Sequence, residues 1–151
     1  MRCYSSAYHK KYPTYIGCLI DSDWLYLSNF KIWMKTQDWK DKQLDKDILF
    51  PGNKIYSPAT CLFVCTKING FLINCVKPKG GLPMGVVFCR GKFLAQCNNP
   101  FNNNNKRIGS FNTPEEAHLA WKAKKHEHAC KLAELETDLR IKKALVNRFK
   151  P

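Results

Sequence analysis

The eight cysteines form no C-x-x-C pair anywhere in the chain, so the paired spacing on which most structural zinc sites are built is missing. Cys61-x-x-x-Cys65 and the distant His126-x-His128 do not replace it, and a structural zinc is not expected. No apolar run approaches the ~20 residues that span a bilayer, and Met1-Arg2-Cys3-Tyr4 lacks the apolar core of a secretory signal. These absences argue against a membrane protein and against a secreted disulfide scaffold. They point to the cytoplasm, with reduced thiols that pack as small apolar groups. Negative charge is also scarce, with 12 Asp and Glu against 25 Lys and Arg for a net charge of +13. The excess is spread along the chain, 12 to 6 over residues 1–79 and 13 to 6 over 80–151, so it is not a detachable basic tail. A polyanionic partner follows, and nucleic acid suits it better than a membrane surface.

With 44% apolar residues in a length of 151, the chain is globular and can bury one ordinary core or two small ones. Its best-defined stretch runs from Gly85 to Ala123. Met84-Gly85-Val86-Val87-Phe88-Cys89 and Lys92-Phe93-Leu94-Ala95-Gln96-Cys97 are two short apolar runs separated by Arg90-Gly91, a two-residue hairpin signal. After an Asn-rich loop, Lys106-Arg107-Ile108-Gly109-Ser110-Phe111 predicts a third strand. Thr113 then caps a helix, with Pro114 at its first position and Glu116 completing a T-x-x-E box. Alternation turns Phe93, Ala95 and Cys97 toward one face, where Ala117, Ala120 and Trp121 of the helix can cover them. Lys92, Gln96 and Asn98, with Asn105 and Arg107, take the other face; Arg90 and Lys106 add further cations. Two readings fit that face: cations for phosphates beside amides for base edges, or a solvated polar surface on a small α+β unit.

Gly85-Val86, Gly91-Lys92-Phe93-x-Ala95 and Ile108-Gly109-x-Phe111-x-Thr113-x-Glu115-Glu116-Ala117 resemble the Apetala-type (ethylene-response-factor) DNA-binding domain, which also occurs at the C-terminus of phage HNH homing endonucleases. The resemblance implies a three-stranded sheet lying in the DNA major groove with a helix behind it. It puts Val87, Lys92, Gln96, Asn98, Asn105 and Arg107 at groove-facing places. Several of those places are Arg or Trp in the family, and Val87 and Asn98 depart from that.

In the first half, Tyr4, Tyr8, Tyr12 and Tyr15 alternate with basic residues, a mixture that covers a core or stacks on bases, the core being the favoured reading. Pro13 breaks any helix there. Cys18-Leu19-Ile20 predicts a short strand, and Trp24, Leu27, Phe30, Trp33 and Met34 a helix stripe capped at Ser28 or Asn29. Leu44-Asp45-Lys46-Asp47-Ile48-Leu49 alternates like a strand, Phe50-Pro51-Gly52-Asn53 is a turn, and Lys54-Ile55-Tyr56 reads as its hairpin partner. A helical turn at Ser57-Pro58 and an extended Cys61-Leu62-Phe63-Val64 follow.

This arrangement resembles the ββα-metal element of HNH nucleases. Together with Arg2-Cys3-Tyr4, Tyr12-Pro13-Thr14-Tyr15 and Leu27-Ser28-Asn29-Phe30, it is similar to phage proteins of the HNH-like, homing-endonuclease-like group. The resemblance implies a metal ligand at Asp45, a second at Thr60, and a match of Asn69 to the last Asn of the pattern, with Mg²⁺ or Mn²⁺ as the ion of an active enzyme. Lys46 stands in the place of the general-base His. A Lys of ordinary pKa near 10.4 is a poor base, and Asp45 and Asp47 beside it tend to raise that value. Lys46 is better suited, with Lys54, to gripping phosphate.

The expected architecture is α+β: a degenerate HNH-like ββα unit over residues 1–77, a linker over 78–83, an Apetala-type unit over 84–126 and a helical extension over 127–151. The extension carries Leu132, Leu135, Leu139, Ile141, Leu145 and Phe149 on apolar stripes, with Lys122, Lys124, Lys125 and Lys131 on the surface; it packs back on the first unit or pairs chains. Three functions follow: a double-stranded-DNA-binding protein with a degenerate nuclease centre, an active metal-dependent HNH nicking endonuclease, or a basic phage protein that binds a host protein. Three oxygen or nitrogen ligands converging around Asp45, Lys46, Thr60 and Asn69, with an open position, would support catalysis.

Overall fold

Short elements make up the first half of the chain. The computed structural model describes residues 2–73, 81–102 and 104–150, and the chain divides into two units between Thr66 and Lys67. The expected linker at 78–83 falls later than this division, and its residues 78–80 lie outside the described residues. The fold is α+β.

In the first unit, α1 (Ser6–Lys11) opens on Ser5, whose hydroxyl accepts from the Tyr8 N–H, and a 3₁₀ turn (Pro13–Tyr15) follows at the predicted break. β1 (Leu19–Ile20) leads to a 3₁₀ turn (Ser22–Leu25) capped by the Asp21 carboxylate, then to α2 (Leu27–Lys35). The N-cap of α2 is Tyr26, which makes no side-chain capping bond, so neither Ser28 nor Asn29 caps it. The aromatic stripe does pack: Trp24 is buried, with Phe30 and Trp33 at 5.1 and 4.5 Å, and Trp33 stacks on Phe63 at 5.7 Å. Of the N-terminal tyrosines, Tyr4 and Tyr12 are exposed while Tyr8 and Tyr15 are half-buried, the Tyr8 ring lying 4.7 Å from Tyr12 and 5.4 Å from Tyr15.

β2 (Lys42–Asp45), β3 (Ile55–Tyr56) and β4 (Leu62–Cys65) pair differently from expectation. β2 runs antiparallel to β4, with Leu44 opposite Phe63 and Asp45 opposite Leu62, while β3 runs parallel to β1. The predicted 44–49/54–56 hairpin does not form. Asp45 itself ends the strand: its Oδ1 accepts from the N–H groups of Asp47 and Ile48, each at 2.7 Å, which turns the backbone out of extension. Ile48, 3% exposed, then plugs the core from a loop.

In the second unit, α3 (Thr66–Ile73) is followed by β5 (Val86–Cys89), β6 (Lys92–Asn98) and β7 (Asn105–Phe111), an antiparallel sheet in the order β5-β6-β7. Arg90 and Gly91 both have positive φ, +51° and +74°, as a type I′ hairpin turn requires. α4 (Pro114–Leu135) starts on the predicted capping box: Thr113 accepts from the Glu116 N–H and the Glu116 carboxylate accepts in return, a cap worth about 1 kcal/mol. Ala117 and Trp121 of α4 are buried, as are Val86, Ala95 and Cys97 of the sheet. Gly85 (φ +77°) lets the backbone pass under the indole, since a Cβ there would lie 2.0 Å from Trp121 Cδ1.

α4 runs unbroken through the expected boundary at residue 126, and α5 (Leu139–Arg148) packs on it through Ile141 and Leu145. Beyond α5, Phe149 meets Phe71 of α3 edge-on at 5.4 Å. The C-terminal helices therefore belong to the second unit. Lys125, expected on the surface, is 2% exposed; its ammonium donates to the Phe71 carbonyl at 2.9 Å and lies 3.8 Å from that ring's centroid. Among the described residues no helix is long and apolar enough to cross a membrane.

Candidate nucleic-acid interface and the Asp45 loop

Register sorts the sheet into two faces. Val86 pairs with Ala95, and both side chains are buried on the face that α4 covers. The alternate residues take the outer face in rows: Cys89 with Lys92, Val87 with Leu94 and Ser110, and Gln96 with Arg107, with Asn98 next along β6. A β-bulge between Ala95 and Gln96 shifts β7 by one residue, and it is this shift that brings Arg107 onto the outer face beside Gln96. Lys92, Asn98 and Arg107 are exposed and Gln96 is half-buried. The Lys92 ammonium donates to the Asn112 side-chain carbonyl. Arg90 is exposed at the hairpin tip. Lys106 pairs with Cys97, so it falls at the rim of the helix-covered face and not among the outer rows.

Acid is absent from this surface. No Asp or Glu occurs between Asp47 and Glu115, a run that contains all three strands. The acids of the second unit are Glu115, Glu116, Glu127, Glu134, Glu136 and Asp138, all on α4 or at its turn into α5. Glu127 bridges Lys124 and Lys131, both at 2.7 Å, and those hydrogen bonds pull its carboxyl down to about 2. Negative charge thus sits on the helical side, where Glu127 and Asp138 are paired with Lys and Arg, while the outer sheet face is cationic and amide-bearing. The acid-free run was readable in the sequence and is a stronger signal than net charge alone.

The Asp45 loop is organised differently. Lys46, 9% exposed, donates to the Asn53 carbonyl at 2.7 Å and to Asp47 Oδ2 at 2.6 Å. Asn53 answers with its amide, donating to the Lys46 and Ile55 carbonyls at 2.9 and 2.7 Å. Thr60 donates to the Ile55 carbonyl at 2.7 Å and accepts from the Ser57 N–H at 3.2 Å. Asp45, Lys46 and Thr60, three of the residues that resemble a nuclease centre, clasp this loop through backbone bonds. Burial beside it pushes the Cys61 thiol up to about 11. Lys54 is exposed, its ammonium donating to the Thr14 carbonyl at 3.0 Å.

The chain matches no family model, no curated protein and no solved structure. Among the described residues no hydrogen bond joins Asp45 to Thr60 and no three His, Cys, Asp or Glu side chains gather as a metal site; Asn69 lies on α3, in the second unit. Asp45 Oδ1 is committed to two backbone N–H groups and the Thr60 hydroxyl to two backbone partners. The first unit also holds an apolar recess of about 350 Å³, lined by Cys3, Tyr15, Trp24, Phe30, Leu44 and Tyr56 among others. Its lining is apolar apart from the Tyr15 and Tyr56 hydroxyls and the Cys3 thiol.

Proposed function

We propose that the chain is a double-stranded-DNA-binding protein of the homing-endonuclease-like type, its contact surface the outer face of the β5-β6-β7 sheet seated in the major groove. The Asp45 loop, in this reading, serves structure and not phosphodiester hydrolysis. The observation that carries it is the acid-free outer face, with Lys92, Gln96, Asn98 and Arg107 on one side of a sheet whose other side is closed by α4. Three strands span ~10 Å between outer backbones, against a groove ~12 Å wide. Arg107 suits the O6 and N7 of guanine, and Gln96 beside it suits adenine; Arg90 and Lys92 suit flanking phosphates.

Binding to duplex DNA should weaken steeply with salt. If about six phosphates are neutralised, log affinity falls against log salt with a slope near −5. Arg107→Ala should cost about 1–3 kcal/mol of binding and flatten the preference among sequences. Fluorescence anisotropy across a salt series measures both; an affinity indifferent to salt, or an Arg107→Ala profile identical to the parent, would remove the sheet from the account.

A further inference from the structure

One outer row differs from the rest. Between the Cys89–Lys92 row and the Gln96–Arg107 row lies Val87 opposite Leu94, with Ser110 beyond. Val87 is 45% exposed and Leu94 half-buried, and α4 lies on the opposite face, so this apolar pair contributes little to the core. It forms an apolar step in the middle of a polar, cationic surface. The floor of the major groove offers one apolar feature, the C5-methyl group of thymine.

We infer that Val87, backed by Leu94, is a specificity-determining contact that recognises a thymine by its C5-methyl group. The inference rests on the groove-seated sheet proposed above. Rows two residues apart on a strand are ~7 Å apart, close to two base-pair steps of about 3.4 Å. The thymine therefore lies about two steps from the base that faces Gln96 and Arg107. A cytosine at that place would present no methyl and would aim its N4 amino group at an apolar pair, which leaves a donor without a partner.

The test removes the methyl and nothing else. Duplexes are enriched from a random-sequence pool on the full chain, and the tightest is remade with deoxyuridine in place of each thymidine in turn. The expected result is a loss of about four-fold at one or two positions, the worth of one buried methyl group. Val87→Ala, checked for an unchanged thermal midpoint, should bind the thymidine and deoxyuridine duplexes alike. Equal affinity of the parent for both forms at every position, with steep salt dependence retained, overturns the methyl contact and leaves DNA binding standing. A deoxyuridine penalty that persists in both Val87→Ala and Leu94→Ala also overturns it. Failure to enrich any duplex removes the DNA-binding reading itself.

Discussion

Counted by unit, residues 1–66 hold nine Lys and Arg against six Asp and Glu, and residues 67–151 hold sixteen against six. Among the described residues, exposed apolar groups run the other way: eleven large ones lie in the first unit and six in the second. The two units also use their polar groups differently. In the first, Asp45, Lys46, Asn53 and Thr60 bond backbone groups of their own loop. In the second, the acids stay with the helices and the sheet's cations face outward on an acid-free surface. Residue types that resemble part of a catalytic set in one dimension can also serve to close a loop. Recognition chemistry belongs to the polar groups left over once the backbone is satisfied.

Glycine gives the sharpest way to test how rigidly each unit is held. Gly85→Ala would drive a methyl group to within 2.0 Å of Trp121 at a φ of +77°, combining overpacking with a left-handed backbone. It should destabilise the second unit by about 3–5 kcal/mol. Gly52→Ala, in the first unit's loop at φ +80° with nothing within 4 Å of the new Cβ, should cost about 1 kcal/mol after the gain from a stiffer unfolded chain is set against the strain. Hydrogen exchange resolved by segment would separate the units. Equal effects of the two substitutions would mean that Trp121 can move aside and that the sheet is not pinned to α4.

Asp45→Ala comes next in size. It strips the acceptor from two backbone N–H groups at 2.7 Å and should lower first-unit stability by about 2–3 kcal/mol, the range for a bond to a charged group. DNA affinity should change less than about two-fold, since the outer sheet face is untouched. Supercoiled plasmid incubated with Mg²⁺ or Mn²⁺ should stay supercoiled with parent and variant alike. Nicking by the parent that Asp45→Ala abolishes would return the first unit to the enzymes and break the contrast between the two.

The second unit's sheet and its helix start were readable from local chemistry because each signal there is short-range: Arg90-Gly91 for the turn, Thr113-Pro114-x-Glu116 for the cap. The first unit resisted for the opposite reason. Its strands are two to four residues long, and the alternation of Leu44, Lys46 and Ile48 mimics a strand although an Asp side chain bends the backbone after residue 45. Pairing of β2 with β4 skips over β3, which no local pattern announces. Lys125 was misplaced by its chemistry and not by its position. Spaced four residues from both Trp121 and Ala129, it falls on the buried stripe of α4, and its period marks it as interior where its charge did not. At the site, simple alternation put Lys92, Gln96, Asn98 and Arg107 on one face, as the register has them, but the bulge that keeps Arg107 beside Gln96 had no local signal.

The smallest expected effect separates the units by pH. His128 of α4 is 4% exposed, with its Nδ1 3.9 Å from Cys97 Sγ and its ring edge-on to Phe101 at 6.5 Å. Burial is the main reason its pKa lies below the ordinary 6.5, and the nearby Lys124 adds to the shift. In the unfolded chain this imidazole takes a proton as pH falls through about 6.5, whereas the folded state resists it. Its contribution to stability is therefore complete above that value and is lost on acidification toward the lower folded pKa. Thermal unfolding of the second unit should move to lower temperature between pH 7 and pH 5, and His128→Gln should reduce that drop. The first unit carries one histidine, His9, whose Nε2 lies 2.9 Å from the Cys3 carbonyl. If the acid sensitivity survives His128→Gln undiminished, the aromatic and thiol packing around the imidazole is not what disfavours its charged form.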